Sequence, residues 1–205
     1  MEELLSTFVR SIFVENMIFA YYLGMCSYLA VSKNVKTAIG LGLAVTFFLV
    51  CTVPIGYLLD KYVLTEGALA WLGDDFATID LSFISLIIFI TVIAAFGQVV
   101  EMFIEQYLPA LQASLGIFLP ILCINCAILG GVLFMQQKAF PNVGVATVYG
   151  LGSGIGWLLA IVGIAAIREK MAYSDVPKPL KGVGITFIVC GLMGMAFMCF
   201  SGLKI

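Results

Sequence analysis

Cys26 and Cys126 are the residues whose type and surroundings point most directly to chemistry. Gly24-Met25-Cys26 and Ile124-Asn125-Cys126 stand 100 positions apart, each inside a long apolar stretch. Thiolates ligate soft metals, and an iron–sulfur cluster normally takes four of them. Two thiols from this chain would therefore need two more ligands from another chain. The chain has no histidine, which excludes the common His-based zinc sites and Ser-His-Asp triads within it. Buried cysteine also behaves as a small hydrophobe. That reading suits Cys51, Cys190 and Cys199, and on residue type alone Cys26 and Cys126 stay open to both. Cys123 and Cys126 form a C-x-x-C, but without a βαβ context a thioredoxin-type site does not follow.

The acids come next. A carboxylate at membrane depth is costly and commonly marks an ion or proton path. Glu15 and Glu101 both fall inside apolar stretches. Gln98, Glu101 and Glu105 are spaced i, i+3, i+7 and share one helical face, with Glu105 read as a solvated helix end. Glu101 is open between an ion path and the same bland role. Asn16 and Asn125 are polar groups in apolar surroundings and must find partners. No Walker loop, G-x-G-x-x-G, haem-attachment motif or flavin-binding pattern is present.

The elements that carry these residues are dictated by composition. Of 205 residues, 62% are hydrophobic and 11% charged, with a mean hydropathy of +1.14. Soluble domains run near 45–50% apolar and about 25% charged. A water-soluble globule, a disordered chain and a basic nucleic-acid binder are excluded, and a polytopic membrane protein is expected. A helix needs about 20 apolar residues to cross a hydrocarbon core of about 30 Å. Six stretches qualify, at about 8–31, 38–59, 81–104, 113–135, 146–167 and 182–203, and together they form one transmembrane domain over residues 1–205. The acidic connection at about 60–80 is too short to build a domain outside the membrane. The acidic start, Glu2 and Glu3, predicts no cleavable leader.

Basic residues set the orientation. Lys33 and Lys36 lie between spans 1 and 2, and Arg168, Lys170, Lys178 and Lys181 between spans 5 and 6. These loops are placed in the cytoplasm and both termini outside. Trp71, Tyr57 and Tyr62 suit an aromatic belt at the outer boundary.

Thr37-Ala38-Ile39-Gly40-Leu41-Gly42 opens span 2, and Thr147-Val148-Tyr149-Gly150-Leu151-Gly152 opens span 5. With the two cysteines this suggests an internal repeat, about 1–108 and 109–205. Three spans per repeat invert the second copy, and sites in inverted repeats form near the midplane at the repeat interface, where helices are often broken. Gly24 and Pro120 precede the matched cysteines, so spans 1 and 4 are expected to be broken. The run Gly150-x-Gly152-x-Gly154-x-Gly156 predicts close helix packing.

A set of motifs covers essentially the whole chain: Val14-Glu15-Asn16-Met17, Leu23-Gly24-Met25-Cys26, Leu115-Gly116-Ile117-Phe118-Leu119-Pro120, Asn125-Cys126-Ala127, Gly152-Ser153-Gly154-Ile155-Gly156-Trp157, Ile167-Arg168-Glu169-Lys170, Ser174-Asp175-Val176-Pro177 and Phe200-Ser201-Gly202. In these the chain resembles the family of E subunits of the bacterial sodium-translocating NADH:quinone oxidoreductase. A homologous subunit of the Rnf ferredoxin:NAD oxidoreductase shares the general pattern, while Glu15-Asn16-Met17 and Ile167-Arg168-Glu169-Lys170-Met171 look closer to the E subunits.

The resemblance implies an all-α fold of six spans in a three-plus-three inverted repeat. It implies pairing with a homologous sister, the D subunit, of opposite orientation, within a six-subunit complex of the bacterial inner membrane. It further implies a [2Fe–2S] cluster shared between the two sisters, with Cys26 and Cys126 as this chain's ligands; Cys123 has no part in the family pattern. Glu101 matches a family glutamate linked to sodium uptake, and Glu15 is a second candidate on an ion path. NAD, flavins and ubiquinone would sit on other subunits. This chain would carry electrons across the membrane in a cycle coupled to sodium export, and would not be catalytic alone. Two readings compete: the Rnf-type subunit, and a small secondary transporter without a redox centre, which would use Glu101 as its ion-binding acid.

Overall fold

The computed structural model describes residues 2–64, 84–107, 125–177 and 179–202. They form α1 (Glu2–Phe13), α2 (Met25–Val31), α3 (Val35–Leu59), α4 (Ser85–Tyr107), α5 (Cys126–Lys138), α6 (Val143–Met171) and α7 (Val183–Met198). A π-helical turn, Asp60–Leu64, continues α3, and a 3₁₀ turn, Cys199–Gly202, continues α7. Among the described residues three helical stretches are long and apolar enough to cross a membrane: Val35–Leu64, Ser85–Tyr107 and Val143–Met171. At 1.5 Å per residue α3 runs about 37 Å and α6 about 43 Å, against an apolar core of about 30 Å. Leu4–Phe13 and Val183–Met198 are shorter apolar helices. The first expected span, about 8–31, is broken: α1 ends at Phe13 and α2 starts at Met25.

The glycine run of α6 explains how the bundle closes. Glycines four apart share a helix face, so the run forms two pairs. A Cβ built on Gly150 would lie 2.8 Å from the Leu49 carbonyl, and one on Gly154 would lie 2.7 Å from Thr46 Cα, so this pair seats α3. A Cβ on Gly156 would lie 2.9 Å from the Ile12 carbonyl, and one on Gly152 would strike Ser11, so the other pair seats α1. Small residues allow such backbone approach where no hydrophobic drive from water exists. Trp157, Tyr28, Tyr149, Phe48 and Phe89 fill the core around these contacts.

The break after α1 is closed by Asn16, which is buried. Its Oδ1 accepts from the amides of Ile18 at 3.0 Å and Phe19 at 3.4 Å. Its Nδ2 donates to the carbonyls of Ile12 at 3.1 Å and Gly156 at 2.8 Å. One side chain thus satisfies backbone groups that an interrupted helix would leave bare in an apolar medium, where each costs several kcal/mol. At the other end of the bundle, Arg168 Nη1 donates to the Leu29 carbonyl at 3.1 Å and to Ser32 Oγ at 2.6 Å. Glu169 Oε1 accepts from the Val35 amide at 3.2 Å. The end of α6 therefore ties the C-terminus of α2 to the N-terminus of α3.

α4 stands apart. Its buried residues Ser85, Phe89, Ile93 and Gly97 recur every fourth position, and Phe96 meets Phe48 edge-on at 5.5 Å. Ile87, Val99, Met102 and Phe103 on its other sides are exposed.

Candidate functional site

Cys26 is the second residue of α2 and Cys126 the first residue of α5. Each short helix begins in the interior of its expected span. Gly24, the cap of α2, has φ +80, a left-handed conformation that only glycine adopts without strain. Asn125, the cap of α5, accepts from the Ala127 amide through Oδ1 at 3.1 Å. The two caps meet. A Cβ built on Gly24 would lie 2.9 Å from Asn125 Oδ1, 3.0 Å from Ala127 Cβ and 2.8 Å from Trp157 Nε1. The absence of a side chain at Gly24 is thus what lets the two cysteine-bearing helix starts close on one another.

Both thiols are exposed on the surface of this chain, although their neighbours Gly24, Ser27, Asn125 and Ala127 are buried. Cys190, by contrast, is buried as a core residue and Cys51 is half-buried. Among the described residues no group of three His, Cys, Asp or Glu side chains comes together to hold a metal. The arrangement suits a centre held by two thiolates from this chain, with its remaining ligands supplied from outside. Two buried donors, Trp157 Nε1 and Asn125 Nδ2, lack hydrogen-bond acceptors among the described residues, as fits a group with anionic sulfurs at this place.

Glu15 lies in the break after α1 and is 9% exposed. Its Oε1 meets Arg10 Nε at 3.0 Å and its Oε2 meets Lys138 Nζ at the end of α5. Lys138 also sits 4.7 Å over the Tyr149 ring. The carboxylate joins the first broken helix to α5, with a cation on each oxygen. Removing the charge with Glu15→Gln leaves Lys138 unpaired. A fully buried pair costs about 3–5 kcal/mol to break from one side. Lys138 is about one-third exposed and Arg10 more so, so about 1–3 kcal/mol is expected. A lowered unfolding midpoint of the detergent-solubilised protein checks this, and an unchanged midpoint would show the pairs to be idle.

Glu101 is half-buried on α4, and Gln98 and Glu105 are exposed. Among the described residues neither Glu101 nor Glu105 joins the two cysteines in a group of three metal-ligating side chains, and Glu101 has no ion-pair partner. Pro120, Cys123 and residues 65–80 of the acidic connection, Trp71 among them, lie outside the described residues. Three residues gain a part that their sequence positions alone do not reveal. Along the chain Asn16 is a polar group in need of partners, Arg168 a basic loop residue and Trp157 the end of a motif. For Trp157 the available signal is an N–H donor inside an apolar span, which must either be bonded or be waiting for an acceptor.

Comparison with known proteins now adds the lineage. Residues 4–204 match the family described as "Rnf-Nqr subunit, membrane protein". The chain belongs to the Rnf-Nqr subunit family. It is 56% identical over 205 residues to the E subunit of the Na(+)-translocating NADH-quinone reductase of Psychromonas ingrahamii, with 100% of both chains covered. It is 55% identical over 204 residues to the protein of the same name from Maridesulfovibrio salexigens, again over 100% of both chains. The corresponding E subunit of Psychrobacter cryohalolentis is 54% identical over 200 residues, covering 98% of each chain. This Rnf-Nqr family chain is therefore a membrane protein, and every regular element among its described residues is helical.

Proposed function

We propose that this chain is the E subunit of a sodium-translocating NADH:quinone reductase of the bacterial inner membrane. In that role it passes electrons across the membrane through a [2Fe–2S] cluster held jointly with a homologous sister, the D subunit, of opposite orientation. The observation that carries the proposal is the pair of exposed thiols, Cys26 and Cys126, on two helix starts clamped together through Gly24 and Asn125. Exposed cysteines beside buried neighbours make sense on a surface that a partner covers. Four thiolates are the usual complement of such a cluster, and two per sister meet it. Bound there, the cluster would supply one-electron transfer at membrane depth. This chain's own part is to present two sulfurs, exclude water with the Tyr28 and Trp157 core, and hold the break before α2 through Asn16 and the end of α2 through Arg168.

A six-span, three-plus-three inverted repeat, with repeats at about 1–108 and 109–205, fits the element order. In each half a short helix carrying the cysteine near its start is followed by a long helix that opens at an Asn-Val pair: Asn34-Val35 for α3 and Asn142-Val143 for α6. Both asparagines have extended backbones, with φ −129 and φ −138. The basic loops then face the cytoplasm and both termini the outside. NADH, flavins and ubiquinone are handled by other subunits, and sodium export is coupled to the redox cycle by the complex as a whole.

Iron and acid-labile sulfide, measured in the purified complex before and after substitution of Cys26 and Cys126, test the proposal. Iron that does not depend on either cysteine would end it. Glu101, half-buried near the end of α4, is proposed to serve sodium uptake. With Glu101→Gln the sodium concentration for half-maximal quinone reduction is expected to rise severalfold with the iron content unchanged, because a cation loses its countercharge. An unaltered sodium dependence would return Glu101 to the role of a helix-end acid.

A further inference from the structure

Trp157 is fully buried at 0% exposure and Asn125 is 2% exposed. Nonetheless Trp157 Nε1 and Asn125 Nδ2 donate to nothing among the described residues. Leaving a buried donor unmade forfeits its hydration with nothing in return, and natural proteins seldom tolerate it. Here two such donors occur at one place. Trp157 Nε1 and Asn125 Oδ1 lie within 2.8 and 2.9 Å of the point where a Gly24 Cβ would stand. Cys26 follows Gly24 by two residues and Cys126 follows Asn125 directly. The Asn125 amide is already oriented, because its oxygen is committed to the Ala127 amide at 3.1 Å and its NH₂ must point elsewhere. The other buried polar group at a helix break, Asn16, is satisfied at both ends. Tyr28 Oη, Tyr149 Oη and Ser153 Oγ are also buried without a hydrogen-bond partner among the described residues; the Trp157 and Asn125 pair is set apart by lying together against Gly24, where the two cysteine-bearing helix starts meet.

We infer that the Trp157 indole N–H and the Asn125 amide N–H donate hydrogen bonds to the sulfur ligands of the centre held by Cys26 and Cys126, and so raise its reduction potential. The inference rests on the shared-cluster reading above and adds to it two residues that tune the centre without ligating it. The physics is electrostatic. Reduction adds one electron and no proton, so the sulfurs become more negative. A fixed donor stabilises that state more than the oxidised one, and hydrogen bonds to the sulfurs are among the known determinants of cluster potential. A buried indole N–H is suited to this, since it keeps its proton and its ring is held in a packed core.

The test uses the intact purified complex. Trp157→Phe keeps an aromatic ring in the core and deletes the N–H. With iron and labile sulfide at wild-type levels, the reduced-to-oxidised ratio of the centre at a fixed ambient potential is expected to fall about tenfold, equivalent to about 59 mV for one electron. Electron paramagnetic resonance during a redox titration reads this directly. In wild-type complex grown with ¹⁵N-indole tryptophan, the reduced centre is expected to show hyperfine coupling to a tryptophan nitrogen. That measurement decides the matter even if the variant does not assemble. A full-iron variant with an unshifted potential, or a wild-type centre with no tryptophan coupling, overturns the inference and leaves the shared cluster standing. A wild-type complex with no iron dependent on Cys26 and Cys126 removes the cluster reading itself, a separate and recognisable failure.

Discussion

Replacing Cys26 or Cys126 with alanine should yield a complex that assembles, lacks the iron and acid-labile sulfide of the shared centre, and has quinone reduction lowered at least 100-fold. The expected size follows from the ligand role. Changes to residues that merely orient a metal ligand already cost about 10- to 100-fold, so loss of a ligand should cost more. Assembly is expected to survive because both thiols are exposed on this chain, and substitutions outside the packed core usually change stability by no more than about 0.5 kcal/mol. Neither cysteine caps its helix; Gly24 and Asn125 do that. Cys199, also exposed, provides the matched control: Cys199→Ala should leave iron and turnover intact. If iron survives in either the Cys26 or the Cys126 variant, that residue is ordinary surface, and the transporter reading with Glu101 at its centre returns.

The largest effect on folding is expected from Gly152→Leu. A Cβ at that position would strike Ser11 and approach the Phe8 carbonyl at 3.0 Å, so it meets backbone and a short side chain that has no room to swing aside. Extra methylenes in a packed core cost about 1–3 kcal/mol, occasionally more, and leucine adds a whole branched side chain where none fits. α1 would be pushed off α6, and with it Asn16 would lose the Gly156 carbonyl it bonds at 2.8 Å. The break before α2 would then be left without its cap, and the Gly24–Asn125 contact would loosen. The subunit is expected to disappear from detergent extracts as a folded species. Gly144, in the first turn of the same helix, has nothing within 4 Å of the point where a Cβ would stand. Gly144→Ala should be neutral or slightly stabilising, since glycine is the poorer helix former by about 1 kcal/mol. Equal yields and unfolding midpoints for the two variants would show that α1 does not depend on the glycine seat.

The contrast between those two glycines marks what can be read along the chain and what cannot. Membrane class follows from composition, because hydropathy is a sum over residues and needs no partner information. The interruption at Gly24 is legible for a similar reason: a glycine inside an apolar span ahead of a matched cysteine signals a break, and φ +80 there is its structural form. The expectation that pairs Cys26 with Cys126 comes from their matched surroundings and from the family resemblance, and the fold sets the two helix starts that carry them against each other. That the glycine run packs closely is also visible, but its division into a face for α3 and a face for α1 is not. A helical repeat tells which residues share a face, and only the fold tells what that face meets.

The polar residues divide in the same way. Glu15 as an intramembrane acid is plain from position, yet its partners Arg10 and Lys138 are 5 and 123 positions away, and the distant one comes from another helix. Arg168 reads as a cytoplasmic charge, whereas in the fold it ties α2 and α6 together across 139 and 136 positions. Trp157 is one apolar residue among many until the bundle places its N–H against Gly24. Apolar residues need only be out of water, so their pattern reveals their fate. A buried polar group needs a particular partner at hydrogen-bond distance, and that partner is supplied by the tertiary structure.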